Sequence, residues 1–283
     1  MIFDSHCHVQ FNAYKGETDE IIKRTLAEDV WMLVVGSQKS TSERAVEFAN
    51  NYDTGVWAAI GLHPVHLTEQ EIDEEEISFT SRQEIFYFAE YFKLGQNKKV
   101  VAVGEVGLEY FHQPKNTTQD ELRNLQAKNF IEHCRLADEL NLPIIIHCRD
   151  AHADQIKLVQ EIINKGGLKN RGVVHCFTGN WLEAKAYLDL GFYLGFTGVI
   201  NFPPKKTNPQ PSLDLLEVVK NTPLDKILAE TDSPYLTPPP YRGKRNEPIY
   251  VKFVIEKIAE IKGISFKEAA EATFQNTRNL FKV

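Results

Sequence analysis

The chain has 283 residues, 42% of them hydrophobic and 25% charged, with a formal charge of -7. That length suits one large domain or two small ones, and the composition is that of a globular protein. An acidic total argues against a module that holds duplex DNA mainly by nonspecific charge, though it permits a local basic patch.

In chain order, short apolar runs alternate with longer amphipathic stretches. The runs are Met1–Asp4, Trp31–Gly36, Val56–Gly61, Val100–Gly104, Pro143–His147, Gly172–His175, Phe192–Phe196 and Ile227–Glu230. Their Val and Ile content predicts strands. The acidic run around Glu69–Glu76 reads as a solvated helix face. Thr118-x-x-Glu121 and Ser265-x-x-Glu268 are capping-box signatures that open two helices. Eight strands alternating with helices predict a (β/α)8 TIM-type barrel, one domain over residues 1–283. A doubly wound open sheet is the alternative, but no G-x-G-x-x-G follows a strand. The Pro-rich stretches Thr237–Pro240 and Pro203-Pro204 then fall in rim loops.

The chemistry starts at Asp4-Ser5-His6-Cys7-His8. On a strand, residues two apart share a face, so His6 and His8 point together. Imidazole suits zinc, manganese and similar ions. Further metal-type residues recur where later runs end: Glu105, His147, His175 and Asp232. Four histidines and two carboxylates exceed the three protein ligands of a single catalytic zinc. Two divalent ions are therefore expected, zinc, manganese or magnesium. His6, His8 and Asp232 hold one, His147 and His175 the other, and Glu105 bridges. Such a pair clamps a phosphoryl oxygen and lowers the pKa of water. Lys98 and Lys99 precede the fourth strand, at the wrong end of the barrel to supply a bridge.

Seven ordered motifs carry a family resemblance. They are Asp4–His8, Gly61-Leu62-His63-Pro64, Gly104–Tyr110, Pro143–Asp150, His175–Gly179, Glu230–Leu236 and Gly243–Pro248. Across nearly its whole length the chain resembles the TatD family of metal-dependent deoxyribonucleases, within the amidohydrolase-type barrels. The resemblance implies the same six ligands and phosphodiester hydrolysis, often from DNA 3′ ends. Two departures stand out. Glu109 replaces a usual aspartate, which is expected to alter reach near the site. Val9-Gln10 replaces the usual Leu and acidic or amide pair.

Around the metals, His63 is expected to contact phosphate or give a proton to the leaving oxygen. Arg149 could grip phosphate bidentately, or pair with Asp150 or Glu109. Thr178-Gly179 could offer a hydroxyl and N–H to phosphate, or serve as a turn and helix cap. Arg242, Lys244 and Arg245 form a basic cluster that could steer a nucleic-acid backbone, with Lys205-Lys206 adding to it. Tyr235, Tyr241, Phe202 and Trp181 could stack on bases. His66, His112, His133 and His152 read as surface or loop histidines. Cys7, Cys148 and Cys176 adjoin ligand histidines, so their thiols should face the outer packing layer. With Cys134 they read as reduced thiols.

The expected activity is that of a metal-dependent deoxyribonuclease in which a metal-bound hydroxide attacks phosphorus, with catalytic roles for Asp232, Glu105 and His63. Alternatives are a hydrolase of a small ester, lactone, amide or phosphotriester, and a non-catalytic metal-binding scaffold. No apolar run approaches the roughly 20 residues of a membrane span, and no basic-apolar leader precedes the first strand. A cytoplasmic monomer is expected, with the nucleus as the other compartment.

Overall fold

The apolar runs do form strands, because β-branched residues fit a pleated surface buried on both faces. The computed structural model describes residues 1–73 and 78–283. Its strands are β1 (Ile2–Cys7), β2 (Val30–Val35), β3 (Val56–Ile60), β4 (Gln70–Asp73), β5 (Ser78–Ser81), β6 (Val100–Glu109), β7 (Ile144–Arg149), β8 (Gly172–Val174), β9 (Tyr193–Phe196) and β10 (Ile227–Ala229). Between and after them lie α1 (Thr18–Ala27), α2 (Lys39–Asn50), α3 (Phe88–Gly95), α4 (Gln119–Leu140), α5 (His152–Asn164), α6 (Trp181–Asp189), α7 (Gln210–Asn221), α8 (Val251–Lys262) and α9 (Phe266–Phe281). Both capping boxes are present, at Thr118 for α4 and Ser265 for α9.

Eight strands form one sheet in the order β1-β2-β3-β6-β7-β8-β9-β10, all paired in parallel. The sheet curls until its two edges meet. Cys7 bridges Ser233, His8 N–H donates to the Ser233 carbonyl at 2.8 Å, and Asp232 N–H donates to the His6 carbonyl at 2.9 Å. Inside the seam, Asp4 accepts from Thr231 N–H at 2.8 Å and from its hydroxyl at 2.6 Å. The segment of Asp232 is thereby laid against that of His6 and His8. The expected barrel is the fold.

Two expectations need correction. The acidic run is not a helix over its described part: Gln70–Asp73 is a strand, paired antiparallel with Ser78–Ser81. The β-prone Phe79-Thr80 segment supplies a partner backbone that a charge count does not anticipate; Glu74–Glu76 lie outside the described residues. The fourth barrel strand also does not end at Gly104, but continues to Glu109. Gly61 permits this, since a Cβ there would collide with the main chain of Gly104 and Glu105.

The barrel's lower interior is apolar. Phe3, Leu33, Ala59, Ala102, Ile145, Val173 and Leu228 pack there, closed from below by Leu280 and Phe281 of α9. Phe3 stacks on Trp57 with ring centroids 5.5 Å apart. Truncating fully buried Leu33 to Ala would cost about 2–5 kcal/mol. Two larger apolar layers lie between the strands and the outer helices. The opposite end of the barrel is left to polar side chains.

Candidate metal centre

On β1 Phe3 packs into the apolar floor, and an irregularity between Asp4 and Cys7 breaks the alternation so that His6 and His8, three and five residues on, reach the upper rim of the interior. Glu105 projects from the middle of β6 and His147 from β7, while His175 follows β8. Asp232 follows β10 at φ +56°, a left-handed turn uncommon outside glycine. All six are buried or nearly so.

Their inward atoms converge on two places. Nε2 of His6, Nε2 of His8, Oδ1 of Asp232 and Oε2 of Glu105 form one cluster. Its separations are 3.3 Å (His6–His8), 3.3 Å (His8–Asp232), 3.7 Å (His6–Asp232), 3.4 Å (His6–Glu105) and 3.8 Å (His8–Glu105). Donors bonded at roughly 2.0–2.1 Å to a tetrahedral ion stand about 3.4 Å apart. The spacing and chemistry of this donor set fit a divalent metal. The second cluster joins the other oxygen of Glu105. Oε1 lies 2.6 Å from Nε2 of His175 and 2.9 Å from Nδ1 of His147, and those two nitrogens are 3.4 Å apart. This cluster is drawn in to hydrogen-bond distances and offers three donors.

Each ligand ring also has an outer nitrogen. Nδ1 of His8 donates to the Val35 carbonyl at 2.7 Å. Nε2 of His147 faces Glu109 Oε2 at 3.1 Å. Nδ1 of His175 lies 3.5 Å from Glu230 Oε1. Glu109 also accepts the N–H groups of Phe111 at 2.7 Å and His112 at 3.3 Å. Glu230 is fully buried and accepts Cys176 N–H and the Ser5 hydroxyl. A Cβ on Gly195 would collide with that carboxylate, so glycine there leaves its space.

The electrostatics follow these contacts. Burial pushes the Glu105 carboxyl up, but His175, His63 and His147 outweigh it and hold it well below the usual range. Burial likewise opposes protonation of His147, yet Glu105 and Glu109 raise it to about 9. His175 is raised for the same reason, by Glu105 and Glu230 against burial. His6 is lowered, first by burial and then by His175. The half around His147 and His175 therefore favours positive charge most strongly.

His63 is the seventh residue of the cluster. Its Nε2 is 3.3 Å from Glu105 Oε1, and its ring is 4.2 Å from that of His147. Its Nδ1 accepts Val65 N–H at 3.2 Å, which assigns the proton to Nε2. Burial and His147 keep it neutral-leaning by lowering its pKa. The Gly-Leu-His-Pro turn is held from α4: Leu62 N–H donates to His133 Nε2 at 3.1 Å, and Asn129 donates to the Leu62 carbonyl at 3.0 Å.

These groups open into a cavity of about 310 Å³, with Arg149, Thr178, Phe11, Val65, Val199, Tyr235 and Leu236 among its walls. Arg149 packs its guanidinium 3.9 Å over Phe111 at that rim. Thr178 is exposed on the rim, and the cap of α6 is Asn180 rather than Thr178. Arg242, Lys244 and Arg245 lie outside the cavity walls. Arg245 is engaged with Glu17 at 2.8 Å and the Ala13 carbonyl at 2.6 Å, and Arg242 lies over Phe202 at 4.1 Å. Tyr241 is stacked on Tyr250, centroids 4.5 Å apart, and Trp181 packs against the core, whereas Tyr235 does line the cavity.

Sequence reasoning misplaced several residues. His66, His133 and His152 are buried, not surface, and His66 and His112 line the cavity. An isolated histidine carries no signal of the main-chain group it will bind. Cys7 and Cys148 pack into the outer layers as expected, but Cys148 also reaches the cavity wall and Cys176 lies on it. Cys176 follows the strand's end at φ +42°, where alternation no longer holds. Glu230 was missed as a partner of His175; its only sequence signal is the place two residues before Asp232, on the same face.

A family model described as TatD related DNase matches residues 3–282. The chain is 40% identical to the uncharacterized metal-dependent hydrolase YabD of Bacillus subtilis, over the full length of both. It is 30% identical to the 3'-5' ssDNA/RNA exonuclease TatD of Escherichia fergusonii, covering 100% of this chain and 99% of that one. Among solved structures, the TatD homologue YJJV of Escherichia coli superposes with a TM-score of 0.81 at 27% identity, covering 100% and 98% of the two chains. The chain belongs to the TatD-related DNase family of metal-dependent hydrolases.

Proposed function

We propose that the chain is a two-metal exonuclease that hydrolyses phosphodiester bonds at the 3′ end of single-stranded nucleic acid. The observation that carries the reading is the division of Glu105: Oε2 faces His6 and His8, and Oε1 faces His147 and His175. A carboxylate so divided serves as a bridge. His6, His8 and Asp232 would hold one divalent ion, and His147 with His175 the other; zinc, manganese and magnesium all suit such donors. When bound, such a pair supplies Lewis acidity to the phosphoryl oxygen and lowers the pKa of water.

The remaining work falls to side chains. Asp232, at the cavity wall, orients the attacking water and accepts its proton. His63 carries its proton on Nε2 and delivers it to the leaving oxygen. Arg149 and Thr178 hold the phosphate at the rim. A cavity of about 310 Å³ takes a chain end rather than a duplex. The 3′ polarity is supported by the Escherichia fergusonii relative.

The test uses end-labelled single-stranded DNA and RNA with metal-loaded and chelator-treated protein. Stepwise shortening from the 3′ end, abolished by chelator and by a 3′ block, is expected. Turnover of small esters or lactones with intact DNA would replace the nuclease reading with the small-molecule one.

A further inference from the structure

The two donor clusters differ in what stands behind their rings. Behind His8 is a neutral carbonyl, that of Val35, and neither Nδ1 of His6 nor Nδ1 of His175 has a hydrogen-bond partner among the described residues. Behind His147 is a hydrogen-bonded carboxylate, Glu109 at 3.1 Å, whereas Glu230 lies 3.5 Å from Nδ1 of His175 and close to the His6 ring as well. The clusters differ in the opposite sense in their direct donors. The His6–His8 cluster has its own carboxylate, Asp232, besides its share of Glu105. The His147–His175 cluster has only its share of Glu105.

We propose that Glu109 is a positioning residue dedicated to the His147–His175 half, supplying from behind the His147 ring the negative charge that Asp232 supplies directly to the other half. The inference rests on the two-metal reading. Outer carboxylates fix the tautomer and orientation of a ligand imidazole and raise its basicity. The Glu109 carboxylate is itself fixed. Glu109 is tied down by the N–H groups of Phe111 and His112, and its own main chain is clamped on both sides by Gln126 at 2.9 Å. Glu230 is fully buried, with Ser5, Cys176 N–H and the open face of Gly195 around it. Glu109 cannot swing to the His6–His8 cluster without breaking its contacts, whereas Glu230 lies between His6 and His175 and belongs to neither half alone. Glu109 reaches His147 through a side chain one methylene longer than aspartate, so Glu109→Asp restores the charge at a greater distance.

The consequence is that the two ions can be separated by changes outside both donor sets. The experiment titrates full-length, metal-stripped protein with zinc against a competing indicator, and with manganese followed by electron paramagnetic resonance. Wild type is expected to bind two ions, with a spin-coupled manganese pair. Glu109→Gln is expected to weaken one ion by roughly 10–100-fold and leave the other unchanged. The coupled signal should become that of isolated manganese. Glu109→Asp should recover part of the affinity. Asp232→Asn should weaken the other ion, so that Glu109→Gln with Asp232→Asn binds neither well. A general structural role would instead weaken both ions together and lower the melting temperature of the metal-free protein. That result, or unchanged binding of both ions, or loss of the same ion in Glu109→Gln and Asp232→Asn, overturns the proposal. If Glu109→Gln does not fold, Glu109→Asp carries the same comparison. Wild type binding one ion would overturn the two-metal reading itself, a separate outcome.

Discussion

Oε1 of Glu105 lies 2.6 Å from Nε2 of His175, the shortest approach between any two of the six candidate ligands. The contact joins the middle of β6 to the end of β8, across β7. One side chain therefore ties the halves of the centre together, and no lysine among the described residues lines the cavity to replace it.

Glu105→Ala is expected to remove at least one ion and to lower hydrolysis by more than the roughly 100-fold that outer-sphere changes cost. Elemental analysis beside turnover measures both. Two ions retained at normal turnover would end the bridged model. Asp232→Asn keeps the shape of one ligand but removes its charge and its capacity to accept a proton. It should lower turnover by about 10²–10⁴-fold even under saturating metal.

For His63 the discriminating variable is the leaving group. If Nε2–H protonates the departing oxygen, His63→Ala should slow a nucleotide substrate by about 10²–10⁴-fold. An activated nitrophenyl diester needs no such proton and should be slowed far less. Equal slowing of both would mean that His63 supports the site through its approach to Glu105 instead.

Much of this centre is legible in the sequence, because each candidate ligand closes or follows an apolar run and the barrel rule gathers strand ends at one rim. The unread part has a physical pattern. Glu105 reads in the sequence as a strand end, whereas β6 runs on to Glu109 and thereby aims that second carboxylate at His147. A sequence run does not show that glycine at position 61 lets two main chains approach closely enough for this extension. Glu230 and His133 act on partners 55 and 71 residues away, His175 and Leu62. Those distances are set by three-dimensional closure, not by local periodicity.

His133 predicts an acid limb in stability. Burial lowers its pKa from 6.5 to about 4 while its Nε2 accepts Leu62 N–H, so the folded state holds it neutral. The unfolded chain takes up a proton below about pH 6.5, and the folded protein does not until about pH 4. Stability from this group is thus complete above pH 6.5 and is lost progressively as pH falls toward 4, by roughly 3 kcal/mol in all. His133→Gln keeps an acceptor but cannot titrate. Denaturant unfolding of both proteins from pH 7.5 to 4 should show a shallower decline for the variant. Parallel curves would mean that His133 does not control this limb.

The basic loop divides into two roles. Arg245 is held by Glu17, the Ala13 carbonyl and the face of Tyr14, 4.6 Å from its guanidinium, and so braces the loop against the segment that joins β1 to α1. Arg242 and Lys244 lie over the rings of Phe202 and Tyr241, a cationic surface beside the rim. If they hold a single-stranded backbone, converting both to Ala should weaken binding for all sequences alike. The slope of log affinity against log salt should fall by about 0.7 for each phosphate that is no longer neutralised. Hydrolysis of a small chromogenic diester, which does not reach this loop, should stay near wild type. Arg245→Ala should leave the salt slope alone and lower the melting temperature by about 1–3 °C, the scale of one partly exposed ion pair in a chain of this size. A salt slope that falls only with Arg245→Ala would reverse the two roles. Equal slowing on DNA and on the small diester would make the loop a support of the metal centre.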